Sequence, residues 1–332
     1  MTNIINSKRI RNIFIYLSLF VISTNSVNAQ IKIMDSVTHK AIPYATIKFN
    51  KDNGLYCDEN GEFSIDEISN NTDSLYISCL GYIEKKIELK SLQEGLIYLS
   101  PYTYELEEIV ISNKTKKGTT KKIKPISHND FLQAHMLYIG GELAIYIPNT
   151  DSYENVELKK LFIPIVTKTI SFEKEKESKK QQVKKISFST LYKISFYENN
   201  NGKPGKRLEY ENITTILNEK STIAILDLEK YSISLPQEGF FVGILNLGPT
   251  NDKGQLIPTS PFLEKETDKG VVKVVKPIKP YFPVYYNKKN NETFFRYTFG
   301  NDDNWISFFK HGTKKEGEYH NIGIGYEIKI YE

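Results

Sequence analysis

The sequence predicts an all-β protein made of two sandwiches, a small antiparallel one followed by a larger jelly-roll-like one. Three observations carry that expectation. Aromatic residues make up 12% of the 332 residues, with 22 Tyr and 18 Phe against only 3 Met, a balance that favours strands. Apolar residues alternate with polar ones in short runs. Clusters of Asn, Asp, Gly and Pro separate those runs and close turns between them. At 39% hydrophobic residues and a mean hydropathy of −0.41, the chain is neither a polytopic helical membrane protein nor a disordered one.

Residues 1–29 read as a cleaved secretory signal. Lys8, Arg9 and Arg11 form a basic start, and Ile13 to Ile22 is apolar apart from Ser18. Val27 and Ala29 then supply the small side chains that signal peptidase requires. The apolar run is well short of the ~20 residues a bilayer span needs. Cleavage removes three of the 44 Lys and Arg and none of the 40 Asp and Glu, so the formal charge falls from +4 to +1. The basic balance of the whole chain is therefore no nucleic-acid footprint. An exported protein is expected, periplasmic, outer-membrane-associated or at the cell surface, with no transmembrane segment after cleavage.

Residues 30–112 form the first predicted sandwich. Ala45 to Phe49, Phe63 to Ile65 and Leu75 to Cys79 alternate strictly, and Glu108 to Ile111 more loosely. Asp58-Glu59-Asn60-Gly61 is a tight turn in which Gly61 takes the left-handed conformation. Cys79 follows Leu75 and Ile77 inward. Cys57 faces the same core only if a bulge pairs it with Phe63, so the register leaves a disulfide between the two open.

The blocks Asp35 to Thr38 with Ile42 to Ile47, Gly54 with Asp58 to Ile65, Leu75 to Tyr82, and Leu106 to Ile111 stand in an order that resembles the carboxypeptidase-regulatory-like domain of Bacteroidetes secreted and outer-membrane proteins. That resemblance covers about a quarter of the chain and implies a transthyretin-like β-sandwich. It implies no peptidase. The strand Glu107, Glu108, Ile109, Val110 and Ile111 also resembles the one that precedes the TonB box in outer-membrane receptors, which makes it a candidate partner strand. A receptor's plug and barrel need more chain than 332 residues hold.

Residues 113–126 are lysine-rich and nearly devoid of apolar side chains, and read as a solvated linker. Residues 127–332 then carry eight or more short strands with polar turns, the pattern of a jelly-roll-like sandwich. The candidates are Leu143 to Ile147, Leu161 to Ile165, Leu191 to Tyr197, Thr222 to Leu226, Phe240 to Leu245, Phe294 to Phe299, Trp305 to Phe309 and Ile322 to Tyr331. Glu173 to Lys180 reads as a hairpin tip, and the four prolines between Leu256 and Pro280 suggest a long surface loop. The last strand, Ile324 to Ile330, is expected beside Leu143 to Ile147. This half resembles, more loosely, the sandwich found behind regulatory-like domains.

The chain holds no zinc-protease, P-loop, dinucleotide-binding or nucleophile-elbow motif. His39, His128, His135, His311 and His320 lack ligand spacing, so no metal and no cofactor are expected. Trp305, preceded by Asp303 and Asn304, is a candidate ligand-binding residue because an indole face stacks on sugar C–H groups, and Asp302 and Asp303 with Asn301 and Asn304 form the best oxygen-rich cluster, of the kind calcium takes. Asp residues are also default turn formers. The expected function is a non-enzymatic binding or scaffold protein of the bacterial cell envelope that contacts a protein partner or glycan. The alternatives are an accessory to a TonB-dependent uptake system and a glycan hydrolase with dispersed carboxylates. In the favoured reading, polar side chains close turns and do not converge on a reacting atom.

Overall fold

The computed structural model describes residues 30–331 apart from 51, 69–71, 93–94, 103–117, 152, 175–178, 186, 269, 277, 288–289, 301–303 and 309–318. Residues 1–29, expected to be a secretory signal, lie outside the described residues. No described helix is long and apolar enough to cross a membrane.

The first sandwich comprises β1 (Gln30–Asp35), β2 (Thr46–Phe49), β3 (Gly54–Tyr56), β4 (Glu62–Ser64), β5 (Ser74–Ser78), β6 (Lys85–Glu88) and β7 (Leu96–Leu99). They form two sheets, β4-β1-β7 and β3-β2-β5-β6, antiparallel except where β1 meets β7. Alternation sorts the side chains. Ile31, Ile33, Ile47, Phe49, Leu75, Ile77, Ile97 and Leu99 turn into one core.

The Asp58 carboxylate builds the expected turn, accepting from the backbone N–H groups of Asn60 at 2.8 Å and Glu62 at 2.7 Å. Gly61 sits at φ +75°, and a Cβ there would stand 2.6 Å from the Ile33 carbonyl oxygen. The turn is not a hairpin within one sheet, however. β3 pairs with β2 and β4 with β1, so the turn carries the chain between sheets. That places Cys57 in the core without a Phe63 pairing. Its Sγ accepts from the Ala45 N–H at 3.1 Å and donates to the Ile42 carbonyl at 3.3 Å. Cys57 and Cys79 are free thiols.

The second unit continues through β8 (Gly118–Ile123), β9 (Ala134–Met136), β10 (Gly141–Ile147), β11 (Val156–Pro164), β12 (Lys168–Lys174), β13 (Lys179–Lys185), β14 (Ser189–Asn200), β15 (Lys203–Asn218) and β16 (Ile223–Asp227). It ends with β17 (Ile233–Ser234), β18 (Phe240–Pro249), β19 (Phe262–Thr267), β20 (Gly270–Val275), β21 (Tyr281–Asn287), β22 (Thr293–Tyr297), β23 (Ile306–Ser307), β24 (Tyr319–Ile322) and β25 (Gly325–Tyr331). One sheet has the order β15-β14-β18-β10-β22-β23. The sheet facing it has the order β16-β11-β25-β8, with β17 also on β11. The chain changes sheet between β10 and β11, between β15 and β16, and between β17 and β18, the crossing habit of a jelly-roll-like sandwich. Leu143, Ile145, Tyr192, Ile194, Phe196, Val242 and Ile244 of one sheet meet Leu158, Leu161, Ile163, Tyr326 and Ile328 of the other.

Three expectations are corrected here. Part of the basic stretch is no linker, because β8 pairs along its length with β25 and starts the second unit at Gly118. Its lysines suit an edge strand, where charge discourages pairing with another chain. The proline-rich segment after Leu256 contains the β19–β20 hairpin. The last strand lies in the opposite sheet from Leu143 to Ile147 and meets them across the core. The expected hairpin around Glu173 to Lys180 is present as β12 and β13, its tip lying outside the described residues.

The two units meet face to face. Tyr56 of β3 is buried among Ile139, Leu191, Leu245, Leu247, Leu256 and Phe299 of the second unit. Its hydroxyl bonds the Thr298 hydroxyl at 2.6 Å, and its ring lies 5.0 Å from that of Phe299. Ser260 Oγ donates to Asn53 Oδ1 at 3.0 Å, and the Tyr297 hydroxyl to the Asp52 carbonyl at 3.2 Å.

Candidate functional site

The face of the six-stranded sheet turned away from its own core is covered by the first unit, and its register places polar groups together. Pairing puts Lys193, Leu245, Glu142 and Arg296 in one row across β14, β18, β10 and β22. The next row is Ser195, Gly243, Ala144 and Phe294. Small residues at its first three places leave a hollow. A Cβ on Gly243 would fall 2.5 Å from Glu142 Oε1 and 2.7 Å from the Tyr197 ring. That missing side chain lets Tyr197 reach across the sheet to Glu142.

Glu142 is 1% exposed and fully committed. Its Oε2 accepts from Arg296 Nε at 2.8 Å and Nη2 at 2.7 Å, while its Oε1 accepts from the Tyr197 hydroxyl at 2.7 Å. Arg296 Nη2 also donates to the Tyr197 oxygen at 2.8 Å, closing a triangle. Burial and the adjoining carboxylate push the Tyr197 hydroxyl well above the usual phenol range.

Lys193 is different. It is 5% exposed and forms no hydrogen bond or ion pair among the described residues. Glu142 stands two strands away and spends both carboxylate oxygens on Arg296 and Tyr197. Burial, with repulsion from Arg207, brings its ammonium down to about 8. Arg207 enters from β15, where it pairs with Tyr197, and its Nε is buried without a hydrogen-bond partner among the described residues.

Together these groups line a cavity of about 210 Å³ between the units, closed on the other side by Tyr44, Thr46, Lys48, Tyr56 and Cys79. Burial raises the Cys79 thiol, with Lys193 opposing. Among the described residues, three cations of the larger sandwich therefore share this space with one carboxylate, and that carboxylate is already paired. The arrangement is a preformed seat for negative charge.

Residues 32–111 match the family model of the CarboxypepD_reg-like domain. The match covers the small sandwich and so the cavity wall that carries Tyr56 and Cys79. Neither a curated protein nor a solved structure matches the chain.

The residues singled out in the sequence stand elsewhere. Trp305 is half-buried behind the Glu142–Arg296 pair, with the guanidinium 4.4 Å over its ring and Tyr197 edge-on at 5.2 Å. One indole face of Trp305 is thus packed against the Arg296 guanidinium. Asp302 and Asp303 lie outside the described residues, as do Glu107, Glu108, Ile109, Val110 and Ile111 of the regulatory-like domain's closing strand. Asp151 pairs with Lys121, and Glu157 with Lys159. No group of three metal-binding side chains occurs among the described residues.

A second cavity of about 410 Å³ lies within the larger sandwich, between β9, β21, β22 and β24. It is walled by Tyr138, Phe295 and two imidazoles, His135 edge-on to Phe308 and His320 edge-on to Tyr286. His135 and His320, seemingly unrelated in sequence, share this wall because β9 and β24 both pair with β21.

The polar groups gathered on the covered face of the six-stranded sheet were not named by the sequence reading. A signal was present. Lys193 and Ser195 occupy alternate places in a strand that also carries Leu191 and Tyr197 on the same face, too apolar a set for a face in water.

Proposed function

We propose that the protein is a non-enzymatic binding protein of the bacterial cell envelope, exported by its N-terminal segment, in which the regulatory-like domain and the larger sandwich jointly hold a ligand or partner. The observation that carries this reading is the cation-lined cleft, whose walls come from both units. Neither half alone encloses it. A CarboxypepD_reg-like domain is a generic β-sandwich domain, compatible with a binding or scaffold role. Among the described residues of the cleft, the one acid is locked to an arginine, and burial keeps the tyrosines protonated.

A glycan array together with cross-linking pull-down from envelope extract tests the reading. Specific retention of a glycan or protein, lost when the regulatory-like domain is separated from the larger sandwich, supports it. Turnover of a polysaccharide by the pure protein, abolished by a single Asp or Glu substitution, overturns it in favour of a hydrolase.

A further inference from the structure

We infer that the cleft between the two sandwiches is an oxyanion-binding site, taking a carboxylate, phosphate or sulfate group carried on a molecule no larger than about a monosaccharide. This rests on the binding-protein reading and names the chemistry of its ligand. Three independent features point to it. The first is an unpartnered cation: Lys193 is 5% exposed, lines the cavity, and has neither a hydrogen bond nor an ion pair among the described residues. A buried ammonium without a partner is costly, and such groups are retained where a ligand completes them.

The second is the charge count. Arg207 joins Lys193 with its Nε buried and unsatisfied, and Lys48 adds a further ammonium from the opposite wall. Glu142 is too committed to Arg296 and Tyr197 to neutralise them. The third is the set of neutral donors. Hydroxyls of Thr46, Ser78 and Ser195 line the same space, able to donate to oxygen atoms that the cations leave unfilled. The size limit follows from the cavity of about 210 Å³, below the ~300 Å³ at which drug-sized pockets begin.

The test is isothermal titration of the full chain with inorganic phosphate, sulfate, galacturonate and, as the neutral control, galactose. At least one oxyanion is expected to bind, more weakly as salt rises, while galactose does not. Lys193→Met and Arg207→Gln are each expected to weaken binding by about tenfold or more, and Lys193→Arg to retain most of it. The strand-rich circular dichroism of each variant checks that it folds. Binding of galacturonate alone identifies an acidic sugar as the source of the anion, and binding of phosphate or sulfate alone a free inorganic ion.

No binding of any oxyanion, or undiminished binding by Lys193→Met, overturns the inference. Equal binding of galactose and galacturonate by wild type and Lys193→Met also overturns it while leaving the binding-protein reading intact. Oxyanion binding accompanied by chemical conversion of the sugar does the reverse.

Discussion

Replacing Lys193 by methionine is expected to make the protein more stable. Lys193 is 5% exposed with no hydrogen bond or ion pair among the described residues, and its pKa falls from 10.5 to about 8. Each pKa unit corresponds to about 1.4 kcal/mol, so holding the charge in the cleft costs about 3 kcal/mol at pH 7. Methionine fills similar volume with no charge to desolvate. The pH dependence has a definite sign. Below pH 8 the folded and unfolded chains both hold the proton, and the cost is constant. Between pH 8 and 10.5 the folded state releases it first, so the cost shrinks as pH rises and vanishes above that window. Tyrosine ionisation in the unfolded chain affects wild type and variant alike and cancels in their difference. Urea denaturation followed by circular dichroism, at pH 7 to 10 without added oxyanion, measures this. The variant should lead by about 3 kcal/mol at pH 7 and by less than about 1 kcal/mol at pH 10. A variant less stable than wild type at pH 7, or a gap that does not change with pH, refutes the reasoning, because it means the ammonium is already satisfied.

Three further outcomes follow from the same geometry. Glu142→Gln strands the Arg296 guanidinium beside a neutral amide and should cost about 3 kcal/mol in urea titrations; a loss below about 1 kcal/mol means that the pair is well hydrated. Gly54→Ala drives a methyl group into the Phe299 ring and to 2.6 Å from the Ile47 carbonyl, so it should destabilise by about 1–3 kcal/mol and speed proteolysis between the units; wild-type resistance contradicts the close approach. Burial raises both thiols, so iodoacetamide at pH 8 should modify Cys79 slowly and Cys57 hardly at all in the native state, and reduction should add no hydrogens to the mass; a gain of two hydrogens reveals a disulfide that the structure does not contain.

Local chemistry was legible in the sequence, and long-range placement was not. Alternation located β2 and β5, short apolar runs bounded by turn residues located β10, β14 and β18, and the Asp58–Gly61 turn was plain because Gly61 readily takes a positive φ. The lysine run failed as a guide at β8, since an edge strand needs only backbone pairing with β25 and charge on its side chains is no obstacle. The β19–β20 hairpin was hidden by the prolines around it, which flank the strands and lie outside them. Sheet membership of the last strand depends on crossovers that no local pattern encodes. The cleft was missed for a related reason. Lys193 looks like a solvent-facing residue in a half-buried strand, and only the first unit's arrival over that face turns it into a buried cation. Phe240 to Leu247 held the clue: an almost unbroken apolar run signals a strand covered on both faces, and a second layer had to come from somewhere.

The most direct test of the central claim is anomalous diffraction from crystals of the full chain grown with selenate, a heavier stand-in for a sulfate or phosphate group. The account predicts a selenium peak between the two sandwiches, within hydrogen-bond reach of Lys193 Nζ and Arg207, that disappears in crystals of Lys193→Met. A cleft with no peak, or a Lys193 ammonium already paired with a protein carboxylate, contradicts it.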